Sequence, residues 1–141
     1  MARPKSRELT ERELEVMHAV WDLTDRRGAT EPGSSVTVAE VRDELARRDR
    51  DLAYTTVATL FRILGEKGFV TQTSDERPFR YRPARTFDEV SGSLLGDLVE
   101  RVFGGSREAL LVRLVESRKL TKQERAVLQE VLKATEKEGR R

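Results

Sequence analysis

The chain of 141 residues contains no cysteine and a single histidine, His18. Without cysteine, disulfides, Cys-type zinc sites and thiol catalysis are excluded. One histidine among scattered carboxylates makes no metal constellation, so a surface position for His18 is the simpler interpretation. We therefore expect no metal site and no cofactor.

Long apolar runs are also missing. No stretch approaches the roughly 20 apolar residues that a membrane-spanning helix needs, and the N-terminus lacks the apolar core of a signal peptide. Together with the missing cysteines, this predicts a soluble, cytoplasmic chain without membrane insertion. There is no glycine-rich phosphate loop, nucleophile elbow or Ser/His/Asp arrangement, so we predict that the protein is not an enzyme.

Charge is nearly balanced along the chain but not evenly placed. There are 27 Lys and Arg against 25 Asp and Glu, a net charge of +2, which does not by itself demand a polyanionic partner. Residues 77–85, however, contain no acid and four arginines, namely Arg77, Arg80, Arg82 and Arg85. The basic signal is therefore local.

Capping signals predict three helices in the first half of the chain. Thr10 and Glu13 form a capping box before an apolar stripe that contains Trp21 and fades near Leu23. Residues 24–35 read as a loop. A very short strand at 36–38 then leads through Thr37 into a second helix. The third helix runs from Ala53 to Lys67 and is stopped by Gly68 in the left-handed conformation.

A hairpin follows the third helix. Residues 69–73 and 79–82 read as strands joined by a turn at 74–78. Three helices followed by a basic hairpin are typical of a winged helix-turn-helix. The predicted fold is thus mainly α with a small β-hairpin.

Residues 83–85 read as a domain boundary, which divides the chain into a winged-helix DNA-binding domain, 1–85, and a C-terminal helical dimerisation domain, 86–141. The second domain contains three short helices with caps at Thr86, Ser106 and Thr121. Helices of about three turns are marginal alone, so their apolar stripes need a partner surface. The predicted dimerisation residues are Leu94, Leu95, Leu98, Val102, Leu110, Leu111, Leu114, Leu128, Val131 and Leu132.

The third helix presents a threonine-rich outer face. Threonine is a poor helix former, so helix stability does not explain several threonines on an exposed face. Recognition helices read bases with residues near their N-terminus, and Thr and Arg side chains suit base edges or phosphates. An ordinary solvated face is the alternative. The predicted DNA-binding residues of this helix are Tyr54, Thr55, Thr56, Ala58, Thr59 and Arg62.

In the hairpin, Arg80 and Arg82 alternate with Phe79 and Tyr81, which places arginines and aromatic rings on opposite faces. The aromatic face is expected to pack on the helices and the arginine face to follow a phosphate backbone. Arg77 in the turn could enter a minor groove. The alternative is that these charges protect an edge strand from aggregation.

Four phrases, LTERELEVMHAVWD, VTVAEVRDEL, LAYTTVATLFRILGEKGFV and RPFRYRP, resemble the penicillinase repressor family of BlaI, MecI and CopY type. The resemblance covers Leu9 to Lys133. It includes the phrase VFGGSREALLVRLVESRKLTKQE of the C-terminal helices, which form the arm. It implies a homodimeric repressor that binds double-stranded palindromic operator DNA. It further implies control of β-lactam resistance or of another stress or metal response.

The resemblance also implies inactivation by cleavage in the arm, triggered by a membrane-bound sensor protease. The corresponding bond falls at Arg113–Leu114, where well-known members have an Asn-Phe pair. The cysteine-rich motif of the copper-responsive branch has no counterpart here. Two positions that are often basic in the family are Thr55 and Ala58 in this sequence. DNA affinity is therefore expected to depend more on Arg62 and on the hairpin, which is the wing of the fold.

A second hypothesis remains open from the sequence. Winged helices also serve as protein–protein interaction modules, and a net charge near zero permits that role. The two hypotheses differ in whether the hairpin arginines are needed for binding.

Overall fold

The computed structural model describes residues 8–26, 34–117 and 119–139. The chain divides into two compact units, between Ser91 and Gly92. The elements in chain order are α1 Glu11–Arg26, β1 Val36–Thr37, α2 Val38–Arg47, α3 Tyr54–Lys67, β2 Val70–Gln72, β3 Arg80–Pro83, α4 Phe87–Val102, α5 Arg107–Ser117 and α6 Lys122–Gly139.

The predicted helix starts are confirmed. The Thr10 hydroxyl accepts from the Glu13 amide at 3.2 Å, and the Glu13 carboxylate accepts from the Thr10 amide at 3.2 Å. Thr37 caps α2 in the same reciprocal way with Glu40. A hydroxyl also accepts a hydrogen bond from a backbone amide at the start of each of the last three helices, from Thr86 for α4, Ser106 for α5 and Thr121 for α6.

The prediction that α1 fades near Leu23 is wrong, because the helix continues to Arg26. The hydroxyl of Thr24 donates to the Val20 carbonyl at 2.8 Å, which accommodates this polar residue within the helix. The predicted loop is therefore helical over its first three residues. Residues 27–33 of that loop lie outside the described residues.

The predicted two-stranded hairpin is part of a larger sheet. The sheet has three antiparallel strands in the order β1-β3-β2, since Val36 pairs with Tyr81 and Thr37 with Arg80. Strands β2 and β3 cover 70–72 and 80–83 rather than 69–73 and 79–82. β3 is thus the central strand, which removes edge protection as a reason for the charge at Arg80.

One apolar core joins the three helices and the sheet of the first unit. Trp21 is buried, as predicted, and its indole N–H donates to the Arg85 carbonyl at 2.9 Å. Val90 of α4 also belongs to this core. Leu60 is half-buried and packs against this core. Since Val90 packs with residues of the first unit, compact packing continues past 85, and the domain boundary at 85 stays a prediction.

The second unit is a helical arm with little core of its own. α4 begins in the first unit at Phe87 and continues into the second. α4 and α6 have 16 and 18 residues, longer than the three turns expected. Gly104 and Gly105 adopt φ of 58° and 86°, which ends α4. Among the described residues from Gly92 onward, Val99 alone is buried. None of the helices in the described ranges has the length and apolar character to cross a membrane.

Candidate nucleic-acid interface

The outer face of α3 is largely open to solvent. Tyr54, Thr55, Thr56, Thr59 and Arg62 are exposed, whereas the opposite face is buried. Ala58, predicted for the same outer stripe, is half-buried and packs against the core. The structure therefore brings five of the six predicted α3 residues to one accessible surface, and Ala58 lies at its inner margin.

Two of these side chains have partners within the helix. The Thr59 hydroxyl donates to the Thr55 carbonyl at 2.9 Å, so its methyl group and hydroxyl lone pairs remain for a base edge. Arg62 forms an exposed ion pair with Glu66 at 3.3 Å. An exposed pair of this kind contributes little stability, so Arg62 can exchange it for a DNA contact.

The N-terminus of α3 differs from the other helix starts. Its N-cap is Ala53, which offers no side-chain hydrogen bond, and its first turn contains no acid. The first amides of a helix carry a partial positive charge and lack intrahelical partners. Among the described residues no side chain satisfies them here, so they suit a phosphate oxygen.

Tyr54 lies at this same helix start and contacts α2. The guanidinium of Arg42 lies 5.9 Å from the centroid of the Tyr54 ring, a cation–π arrangement. Burial raises the pKa of Tyr81, and the nearby Tyr54 adds to that increase. Sequence reasoning missed Arg42, because no periodic pattern relates a residue of α2 to the start of α3.

The wing is held on α3 by an aromatic contact. Tyr81 stacks on Phe61 with ring centroids 4.5 Å apart, which confirms that this aromatic face packs on the helices. Phe79 precedes β3 and is half-buried, and the guanidinium of the exposed Arg77 lies 5.7 Å from its ring centroid. In the turn, the Ser74 hydroxyl accepts the Glu76 amide at 3.2 Å.

Arg80 and Arg82 differ in their surroundings. The Arg80 guanidinium donates to the Ser35 hydroxyl at 2.7 Å and to the Ser35 carbonyl at 3.2 Å, and it lies 3.8 Å from Glu40. Arg82 is exposed, and no described side chain pairs with it. Arg80 therefore joins β3 to the start of α2, whereas Arg82 offers its charge to solvent.

The far end of α3 is anchored to α1. The Lys67 ammonium contacts both carboxylate oxygens of Glu13, at 3.1 Å for Oε2, and also the Glu8 carbonyl. Burial by itself raises the pKa of Glu13, but hydrogen bonds from Lys67 and Thr10 outweigh it and bring the pKa below its ordinary value. The capping role of Glu13 was predicted, whereas its ion pair across 54 residues had no local signal.

The predicted dimerisation residues lie on α4, α5 and α6. All are exposed except Leu110, which is half-buried. Among the exposed members of this set, Val102 at 66% is the most exposed and Leu128 at 39% the least. Arg113 and Leu114, the predicted cleavage position, lie inside α5 and are also exposed.

The geometry of the first unit is that of a winged helix, and the sequence profile of the penicillinase repressor family matches residues 9–134. This chain belongs to the penicillinase repressor family. Two relatives support the assignment, both named transcriptional regulator BlaI, from Mycobacterium tuberculosis strains CDC 1551 / Oshkosh and ATCC 25618 / H37Rv. Each is 39% identical over 105 residues, which cover 74% of this chain and 69% of the relative.

Membership of the penicillinase repressor family makes transcription regulation the functional class of the chain. The two relatives are transcriptional regulators rather than enzymes. The winged-helix fold and the family resemblance predicted from the sequence are thereby confirmed.

Proposed function

We propose that this protein is a DNA-binding repressor that acts as a homodimer on a near-palindromic operator. The observation that carries the proposal is the uncapped, acid-free N-terminus of α3, which lies on the exposed threonine-rich surface. A helix end of this kind favours an anion, and the flanking side chains suit base edges.

The residues divide into two kinds of contact. Thr55, Thr56 and Thr59, with Arg62, are the candidates for base or groove contacts, because recognition helices read bases through residues near their N-terminus. Arg77 and Arg82 of the wing are the candidates for phosphate contacts, since both are exposed. Phosphate contacts fix the register of the protein on the duplex without reading its sequence.

The arm is proposed to form the two-fold interface. Many of its leucines and valines are exposed, and clustered apolar side chains on a protein surface mark interaction sites. A second copy of the arm would cover them and would place two recognition helices on successive major grooves. Each winged unit alone offers few phosphate contacts, so affinity would depend on the dimer.

Release of the operator is proposed to follow cleavage at Arg113–Leu114 by a membrane-bound sensor protease, with genes of β-lactam resistance or stress response as the targets. The bond lies within α5, and helical backbone must open locally before a protease can bind it in extended form. The exposure of Leu114, at 57%, supports such local opening, because few contacts must be broken.

The test is fluorescence anisotropy of a labelled duplex from the protein's own promoter, with Arg82→Glu and Arg62→Glu. We expect each variant to lose at least tenfold in affinity at moderate salt. The matched control is Arg12→Glu, which makes the same charge change at an exposed position in the first turn of α1. That turn contains Glu13, the partner of Lys67, and so lies near the opposite end of α3 from Tyr54.

Unchanged affinity in both wing and helix variants would contradict DNA readout by this surface. Binding of a protein partner that survives both substitutions, with no DNA binding by the parent chain, would instead support an interaction module.

A further inference from the structure

A second concave site lies on the first unit, away from the α3 surface. It is a cavity of about 490 Å³ between α1 and the first turn of α4. Cavities of several hundred cubic ångströms are typical of small-molecule sites. Its lining includes none of the predicted DNA-binding or dimerisation residues.

Three aromatic rings line the cavity. The Trp21 and Phe87 rings meet edge to face, with centroids 5.4 Å apart and planes 72° apart. His18 meets Trp21 at 5.8 Å and 82°, and Phe87 at 6.2 Å. Phe87 is 48% exposed although it begins a helix beside a buried tryptophan. Trp21 is only 8% exposed, so Phe87 and His18 supply most of the accessible ring surface.

The lining of the cavity is also acidic. Asp22, Asp25 and Asp88 line the cavity, and its lining contains no lysine or arginine among the described residues. Arg48 forms an ion pair with Asp22 at 2.6 Å, which offsets the charge of that carboxylate. No described side chain forms an ion pair with Asp25 or Asp88. The cavity thus combines aromatic faces with excess negative charge, which is complementary to a cation.

The grouping of the carboxylates argues against a metal ion. Among the described residues, no three His, Asp or Glu side chains come close enough together to hold a metal ion. A compact metal ion is therefore a poor occupant. An organic ammonium ion spreads its charge over methyl groups, which contact aromatic faces while separate carboxylates attract it at longer range.

We propose that this cavity binds an organic ammonium ion, held by the rings of Trp21, Phe87 and His18 and by the carboxylates of Asp25 and Asp88. Bound there, the ligand would bridge α1 to the first turn of α4. The proposal does not depend on the DNA-binding function, because the site shares no residue with the recognition surface.

Trp21 is the only tryptophan of the chain, so its fluorescence reports on the cavity directly. The experiment titrates the full-length protein, without DNA, with choline and with its neutral isostere 3,3-dimethyl-1-butanol. We expect choline to give a saturable change in Trp21 emission, with at least tenfold weaker binding of the alcohol. Equal responses to both compounds, or no saturable response to choline, would overturn the proposal.

Variants locate the binding. Phe87→Ala and the pair Asp25→Asn with Asp88→Asn should each weaken choline binding at least fivefold. Asp97→Asn, an exposed acid farther along α4 and outside this cavity, is the matched control and should bind normally. Far-ultraviolet circular dichroism verifies that each variant is folded, and a folded Phe87→Ala variant with parental affinity would contradict the site.

Discussion

Tyr81 of β3 stacks on Phe61 of α3, with planes 25° apart and centroids separated by 4.5 Å. Phe61 is fully buried, whereas Tyr81 is half-buried. The contact therefore joins the central strand of the sheet to the middle of α3, and it fixes the position of one relative to the other.

Replacing Tyr81 with Ala should reduce the free energy of unfolding by about 2 kcal/mol, because the half-buried ring and its stacking are lost. Urea denaturation measures this change. Tyr81→Phe is the control, since it keeps the ring and removes only the hydroxyl, and it should remain close to the parent. Equal losses in both variants would show that the hydroxyl, not the stacking, stabilises this position.

The buried pair of Glu13 and Lys67 predicts a pH dependence. Because the pKa of Glu13 is below its ordinary value of 4.5 in the folded protein, the pair stabilises fully above pH 4.5. That contribution is lost as the pH falls through the lower, folded-state pKa. Unfolding measured between neutral pH and pH 3 should therefore show stability decreasing below pH 4.5.

Glu13→Gln should remove this acid-dependent component and cost about 3 kcal/mol at neutral pH, since Lys67 loses its buried anionic partner. Glu11→Gln is the matched control, because Glu11 is exposed in the same helical turn. A parental pH profile in the Glu13 variant would assign the acid sensitivity to another carboxylate.

The two wing arginines should separate into different phenotypes. Arg82→Ala is expected to reduce operator affinity and to lower the slope of log affinity against log salt by about 1, with unchanged stability. Arg80→Ala loses the Ser35 and Glu40 contacts, so its free energy of unfolding should fall by about 1 kcal/mol. Thermal melts and binding at several salt concentrations distinguish them, and identical behaviour would refute the division.

Ala53 provides no side-chain cap for α3, so adding a capping side chain tests the role of this helix start. Ala53→Ser should stabilise the free protein by about 1 kcal/mol, because a hydroxyl can accept an amide of the first turn. Ala53→Asp should stabilise similarly but bind operator DNA more weakly, since its carboxylate occupies the place of a phosphate. Stronger DNA binding by the Asp variant would exclude phosphate contact at this helix end.

Truncation tests the role of the arm. A fragment ending after Ser91 should be a folded monomer that binds the operator at least tenfold more weakly than the full chain. Ending the fragment at Arg85 should lower its melting temperature further, because Val90 and the ring contact between Phe87 and Trp21 are then removed. Analytical ultracentrifugation measures the oligomeric state, anisotropy the affinity and thermal melts the melting temperature. Undiminished affinity in the longer fragment would contradict dimer-dependent binding.

Local signals in the sequence predicted much of the fold. Thr10, Thr37 and Thr121 cap helices because a hydroxyl and a glutamate three residues later satisfy two amides, and both members lie within one turn. Gly68 ends α3 with φ of 86° for an equally local reason. Such patterns need no knowledge of distant residues.

The features that sequence reasoning missed are contacts between distant residues. The strand β1 has two residues, and only its pairing with β3 gives it a place in the sheet. Arg80 looked equivalent to Arg82 by alternation, yet Ser35 accepts its hydrogen bonds across 45 residues. The Arg42 contact with Tyr54 likewise depends on how α2 packs on α3. Charge and alternation predicted the arginine face, but not which arginine is already engaged.

The central position of β3 has a consequence for the order of folding. Strands β2 and β3 are neighbours in sequence, so their pairing closes a short loop, whereas the pairing of β1 with β3 closes a much longer one. The non-local pairing of β1 with β3 therefore carries most of the loop-closure entropy of the sheet. The backbone amides that join β1 to β3 should thus exchange with solvent only when the whole winged unit unfolds, so the unit behaves as a single cooperative block.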